Sequence, residues 1–148
     1  MALNLKRLIK RMFREFLVYH HSSLEYRAKI LTLMVSSDGE INECEKEKLK
    51  EIAFKIYKDD PERAEVLIDT VLEYHKKIVT DNGLDYDDLI LQVVQETKRN
   101  RRFAEKIDID LIKQLHGCID EKNEEERIFQ ERIIEFLEYL KRKYGGKS

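Results

Sequence analysis

Residues 27–56 read RAKILTLMVSSDGEINECEKEKLKEIAFKI. Ala28, Leu31, Met34 and Val35 recur at gaps of three and four residues, the spacing of one face of an α-helix, and the pattern stops at Asp38-Gly39. Gly39 suits a left-handed helix C-cap. Asn42 is followed three positions later by Glu45, the signature of a capping box, and the stripe Leu49, Ile52, Ala53 and Ile56 follows it. The stretch therefore predicts two helices, 24–37 and 43–57, joined by a short acidic loop.

The same period runs outward in both directions. On the N-terminal side, Leu5, Leu8, Ile9, Met12, Phe13 and Phe16 occupy one arc of a helix over 4–19, and Lys6, Arg7, Lys10, Arg11 and Arg14 occupy the other. His20, His21, Ser22 and Ser23 interrupt it. On the C-terminal side, Asp60 as cap and Pro61 at the first helical position open a helix to about Val79, carrying Val66, Leu67, Val71, Leu72 and Ile78. After the turn cluster Thr80-Asp81-Asn82-Gly83, Asp85 is placed to cap a helix with Leu89, Ile90, Val93 and Val94. The run Lys98 to Arg102 breaks the pattern, with a short turn at Phe103 and Ala104. A helix over 109–120 carries Ile109, Ile112, Leu115, Cys118 and Ile119. The last, over 124–143, carries Ile133, Phe136, Leu137 and Leu140, before a flexible tail at 144–148.

Shifting the sequence by 84 lays Ala28, Leu31, Met34 and Val35 on Ile112, Leu115, Cys118 and Ile119. It also lays Leu49, Ile52, Ala53 and Ile56 on Ile133, Phe136, Leu137 and Leu140. This predicts an all-α, single-domain helical bundle of about seven helices containing two pseudo-repeated helix hairpins, with residues 1–23 as a basic amphipathic N-terminal helix and 24–143 as the domain. Leu31, Ile52, Leu115 and Phe136 are expected in its core.

Composition sets the function classes. With 148 residues the chain can bury a core without staples, and no cofactor is needed for folding. Charged residues at 39% and hydrophobic ones at 42%, with one Pro, exclude collagen-like and membrane-spanning chains. The 28 basic residues nearly cancel 30 acidic ones, so nucleic acid is not an expected partner. Cys44 and Cys118 match neither zinc nor disulfide spacings and read as reduced thiols in a cytoplasmic protein. The four histidines give no ligand pair one helical turn apart, and none of the five glycines sits in a phosphate-binding motif. No nucleophile elbow is present, so no enzyme is expected.

The loop SSDGEINECE (36–45) is the place where chemistry is conceivable. Asp38, Gly39, Ile41 and Glu45 match positions five, six, eight and twelve of a calcium EF-hand loop, but Met34 and Ser36 fall on positions one and three, where oxygen-rich ligands belong. The loop closely resembles that of the tellurite-resistance TerB-like family, and the surrounding helices match the family by pattern over roughly 24–143. That resemblance implies an all-helical domain of two pseudo-repeated hairpins, a link to metal or stress responses, and a role as a partner domain. It also implies calcium as a possible cofactor, with Asp38 and Glu45 as metal ligands. The second acidic loop common in the family is replaced here by Lys122-Asn123 followed by Glu124-Glu125-Glu126. Beside this stands the plain reading, in which Gly39, Asn42 and Glu45 only cap helices.

The expected function is a non-enzymatic TerB-like protein-interaction module with an unidentified protein partner. The alternatives are a weak calcium sensor at Asp38 and Glu45 and a peripheral membrane contact through residues 4–19, whose apolar arc equally suits packing on the chain's own bundle. The basic run Lys98–Arg102 reads as a solvated connector, or less simply as a surface for an acidic or phosphate-bearing partner.

Overall fold

The computed structural model describes residues 22–37, 40–119 and 123–145. Six α-helices follow one another: α1 (Ser22–Val35), α2 (Glu43–Ile56), α3 (Pro61–Val79), α4 (Tyr86–Arg99), α5 (Ile109–His116) and α6 (Glu124–Gly145), with a 3-10 helix, η1 (Arg101–Lys106), between α4 and α5. There is no strand among the described residues. The all-α bundle expected from the apolar period is what forms. The helix expected over 4–19, like Asp38 and Gly39, lies outside the described residues.

Start signals explain the boundaries. Asn42 Oδ1 accepts from the Glu45 amide at 2.8 Å, and Glu45 Oε1 accepts from the Asn42 amide at 3.1 Å, so the capping box is complete. Asp60 Oδ1 accepts from the Arg63 amide at 3.1 Å, with Pro61 just inside the helix. Asp85 differs from expectation, since it holds the N-cap position of α4 without a side-chain hydrogen bond. The turn before it depends on left-handed backbone at Asp81 (φ 53°) and Gly83 (φ 95°). Asp tolerates that region and Gly adopts it freely.

α1 is the centre of the bundle. Residues 28–36 are all buried, so this helix is enclosed on every side rather than on one stripe. It packs most extensively on α3 and also touches α4, η1, α5 and α6. Leu31, Ile52 and Leu115 are core residues as expected, while Phe136 is half-buried at the core's edge. The two hairpins differ in how their arms sit. α5 and α6 pack along each other, whereas α2 leans mainly on α3 and α5, meeting α1 across a small apolar void lined by Ile30, Leu31, Ile52, Ile56 and Ile112. α5 is also shorter than the 109–120 read from the sequence, ending at His116. The last helix instead runs on to Gly145, two residues beyond the expected end, because its final turn packs on η1. A Cβ at Gly145 would stand 3.1 Å from Ala104 Cβ.

Candidate functional site

Thr32 O accepts from the Ser36 amide at 2.9 Å, and the next two carbonyls of α1, Leu33 O and Met34 O, are satisfied by side chains. Leu33 O accepts from the Tyr86 hydroxyl of α4. Met34 O accepts from Gln130 Nε2 of α6 at 2.9 Å and from Ser37 Oγ at 3.2 Å. The second hydrogen of Gln130 Nε2 goes to Ser37 Oγ at 2.9 Å, so both amide donors are used. Gln130 Oε1 is then the acceptor for His116 Nδ1 at 3.2 Å, which puts the ring proton of neutral His116 on Nδ1. Ser36 Oγ pairs with His75 Nδ1 of α3 at 2.8 Å. Four helices thus fix the point where the chain leaves α1 for the acidic loop.

The far side of the loop is fixed to the second hairpin. Asn42, besides capping α2, donates from Nδ2 to Cys118 O at 3.3 Å. Cys44 and Cys118 form a disulfide with a Cα–Cα distance of 5.5 Å across 74 residues of sequence. This corrects the reading of two reduced thiols. The bundle brings the start of α2 onto the end of α5, a proximity that sequence spacing does not encode. The second hairpin repeats the cap: Asn123 Oδ1 accepts from the Glu126 amide at 3.1 Å, and Asn123 Nδ2 donates to Glu126 Oε2 at 2.9 Å. Both inter-helix loops therefore sit at one end of the molecule, held by a covalent bond and a shared polar network.

Of the two proposed cation ligands, Asp38 lies outside the described residues. Glu45 is 1% exposed, and its carboxylate is turned back onto the amide of Asn42. That contact through Oε1 completes the capping box at the start of α2. Among the described residues, no group of three or more His, Cys, Asp or Glu side chains converges on a common point.

Two further features were not legible beforehand. Lys29, 7% exposed, sits between Glu96 of α4 and Glu25, and Glu25 Oε1 also accepts from the Tyr74 hydroxyl of α3 at 3.1 Å. Burial, reinforced by the Glu25 charge, pushes the Tyr74 hydroxyl far above its ordinary pKa. Burial likewise pushes Tyr26 up to about 12, against the opposing effect of its bond to Thr97 Oγ1 at 2.7 Å. The Tyr86 hydroxyl is raised by burial, with the Asp87 charge adding to it. The cluster ties α1, α3 and α4 together. At the opposite end of the chain, the Lys98–Arg102 connector meets the end of α6, where Arg101 and Lys143 both lie over the Tyr144 ring, 5.8 and 5.4 Å from its centroid.

A groove of about 270 Å³ lies between α2 and α3. Leu49, Ile68 and Leu72 line it, with Leu72 39% exposed, and Glu43, Lys46, Glu47 and Lys50 alternate in charge along its α2 edge. A helical period with apolar floor and alternating rim is the surface an amphipathic helix complements. Comparisons of the chain with protein-family models, with curated proteins and with solved structures find no match.

Proposed function

We propose that this protein is a non-enzymatic interaction module of TerB-like type. Its partner is a segment of amphipathic helix seated in the groove between α2 and α3. The observation carrying this reading is the groove itself, whose apolar floor at Leu49, Ile68 and Leu72 is bordered by two acids and two lysines at helical spacing. The TerB-like character rests on the SSDGEINECE loop and its complete capping box, and with it comes the proposed setting in a metal or stress response. No described helix is long and apolar enough to cross a membrane. A cytoplasmic placement fits free thiols, whereas the disulfide between Cys44 and Cys118 favours an oxidising compartment.

The test compares capture by the wild type with capture by Leu72→Asp and by Glu43→Lys/Glu47→Lys, all at exposed positions. Loss of one defined partner in both variants, with melting unchanged, supports the groove. Partners retained equally by all three proteins rule it out. The calcium alternative is decided separately by the melting temperature in millimolar calcium. A rise abolished by Asp38→Asn supports it, and an unchanged melting temperature leaves capping as the whole role of Glu45.

A further inference from the structure

The end of the bundle away from the two inter-helix loops is a strongly basic pole. α1 gives the direction: Tyr26, near its start, stacks on Phe103 of η1 with ring centroids 4.8 Å apart, whereas Ser36, just past its end, meets His75. At the η1 end two stretches distant in sequence, 98–106 and 138–145, come together because α6 packs its last turns on η1. They carry eight basic residues against two acids, Glu105 and Glu138, in a chain whose formal net charge is −2. Seven of the eight are exposed, and none is in an ion pair among the described residues. Contacts fix the juxtaposition. Lys141 Nζ donates to Ile107 O at 2.6 Å, and Arg101 and Lys143 approach the Tyr144 ring from η1 and α6, with Lys143 also 5.5 Å from the Tyr139 centroid. The helix dipole accounts for cations in the last turns of α4 and α6. It does not account for Arg101 and Arg102, which stand at the start of η1.

We infer that this pole docks on an anionic lipid headgroup layer. Its charge is complementary to such a surface, and clustered lysines and arginines are what anionic headgroups attract. Tyr139, 45% exposed, and Tyr144 beside the cations supply the amphipathic rings that suit a boundary between lipid and water. The Cys44–Cys118 bond favours an oxidising compartment, which a headgroup layer bounds and which nucleic acid, the other common polyanion, does not normally share. The acids of the chain do not oppose this orientation. Glu124, Glu125 and Glu126 lie at the far end of α6, whose 22 residues span about 33 Å, several times the screening length of about 8 Å at physiological salt. The pole contains no residue of the α2–α3 groove, so this inference stands or falls apart from the proposed function.

Flotation of the full-length oxidised protein with vesicles tests it. Wild type should bind vesicles containing phosphatidylglycerol and not those of phosphatidylcholine alone, and 1 M salt, where the screening length is about 3 Å, should release it. A cation near such a surface strengthens binding roughly fivefold, so R99E/R102E/R142E, all at exposed positions, should bind at least about 100-fold more weakly. R99Q/R102Q/R142Q, a milder change, should fall between that variant and wild type. K76E/K77E/K113E makes the same change in net charge at exposed positions toward the loop end and should bind nearly as wild type does. Melting of each variant confirms that the fold is intact. Equal loss in the two glutamate triples, loss confined to K6E/R7E/K10E, or no binding of wild type to phosphatidylglycerol would overturn the inference. So would single-stranded DNA that displaces wild type from the vesicles.

Discussion

Breaking the Cys44–Cys118 bond is the perturbation with the largest effect calculable from this fold. The bond closes a loop across 74 residues, from the start of α2 to just beyond α5. In the chain-entropy description, closing a loop of that length removes about 15 cal/mol/K from the unfolded ensemble, or about 4.5 kcal/mol at 25 °C. Native disulfides removed from small domains typically cost 2–5 kcal/mol, so about 3–4 kcal/mol is expected here. For a chain of this size each kcal/mol shifts the melting temperature by roughly 2–4 °C, giving a fall of about 6–16 °C.

The assay is calorimetry of three samples: oxidised wild type, wild type held reduced, and Cys44→Ser/Cys118→Ser, with thiol content checked by mass. The reduced sample matters because Cys118 is 8% exposed and serine there adds a polar burial cost that reduction does not. Reduced wild type and the double variant should both fall, the variant at least as far. The bond between Asn42 Nδ2 and Cys118 O remains in both, so the two loop ends stay neighbours and the fold survives. If oxidised and reduced protein melt within about 2 °C of each other, the covalent link between the hairpins contributes nothing and the entropic argument fails.

Gln130→Ala should destabilise by about 2–3 kcal/mol in urea titration, because it strips Met34 O of its strongest cap and leaves a void at a residue that is fully buried; Glu135→Ala, exposed on the same helix, should cost under about 0.5 kcal/mol. Lys29→Met leaves the Glu25 and Glu96 carboxylates facing each other, and since those side chains keep 29% and 21% exposure the expected loss is about 2 kcal/mol rather than that of a dry ion pair. Asn42→Ala removes the cap of α2 and the contact to Cys118 O together, for about 1–2 kcal/mol by thermal melting. Tyr26, Tyr74 and Tyr86 all titrate above their unfolded value near 10, so they favour the fold fully below pH 10 and lose that contribution as pH rises past it. Between pH 10 and 11 stability should drop by about 2–4 kcal/mol, less if solvent reaches the half-buried Tyr74 and Tyr86, and absorbance at 295 nm should show these phenols ionising only with unfolding.

What was legible in the sequence was local. Asn42 with Glu45, and Asp60 with Pro61, mark helix starts because caps are made by residues three positions apart, and apolar gaps of three and four give the helices because a turn has 3.6 residues. Asp85 shows the limit even there, holding the cap position without making the bond. Everything at the loop end depended instead on which helices meet. Lys29, Gln130 and Ser36 are polar, and a helical wheel assigns such residues to solvent. Lys29 and Ser36 are buried because residues 28–36 are enclosed on all sides and find partners on α4 and α3, and Gln130 of α6 is buried where it caps Met34 O. The same enclosure explains why the two loops share one end. The last carbonyls of α1 are capped from α4 and α6, and at the same end Asn42 and Cys44 meet Cys118. The end of α1 is linked through Gln130 to His116, two residues before Cys118, so a change that frees that end, such as Gln130→Ala, should make Cys44–Cys118 more easily reduced even though residue 130 touches neither sulfur.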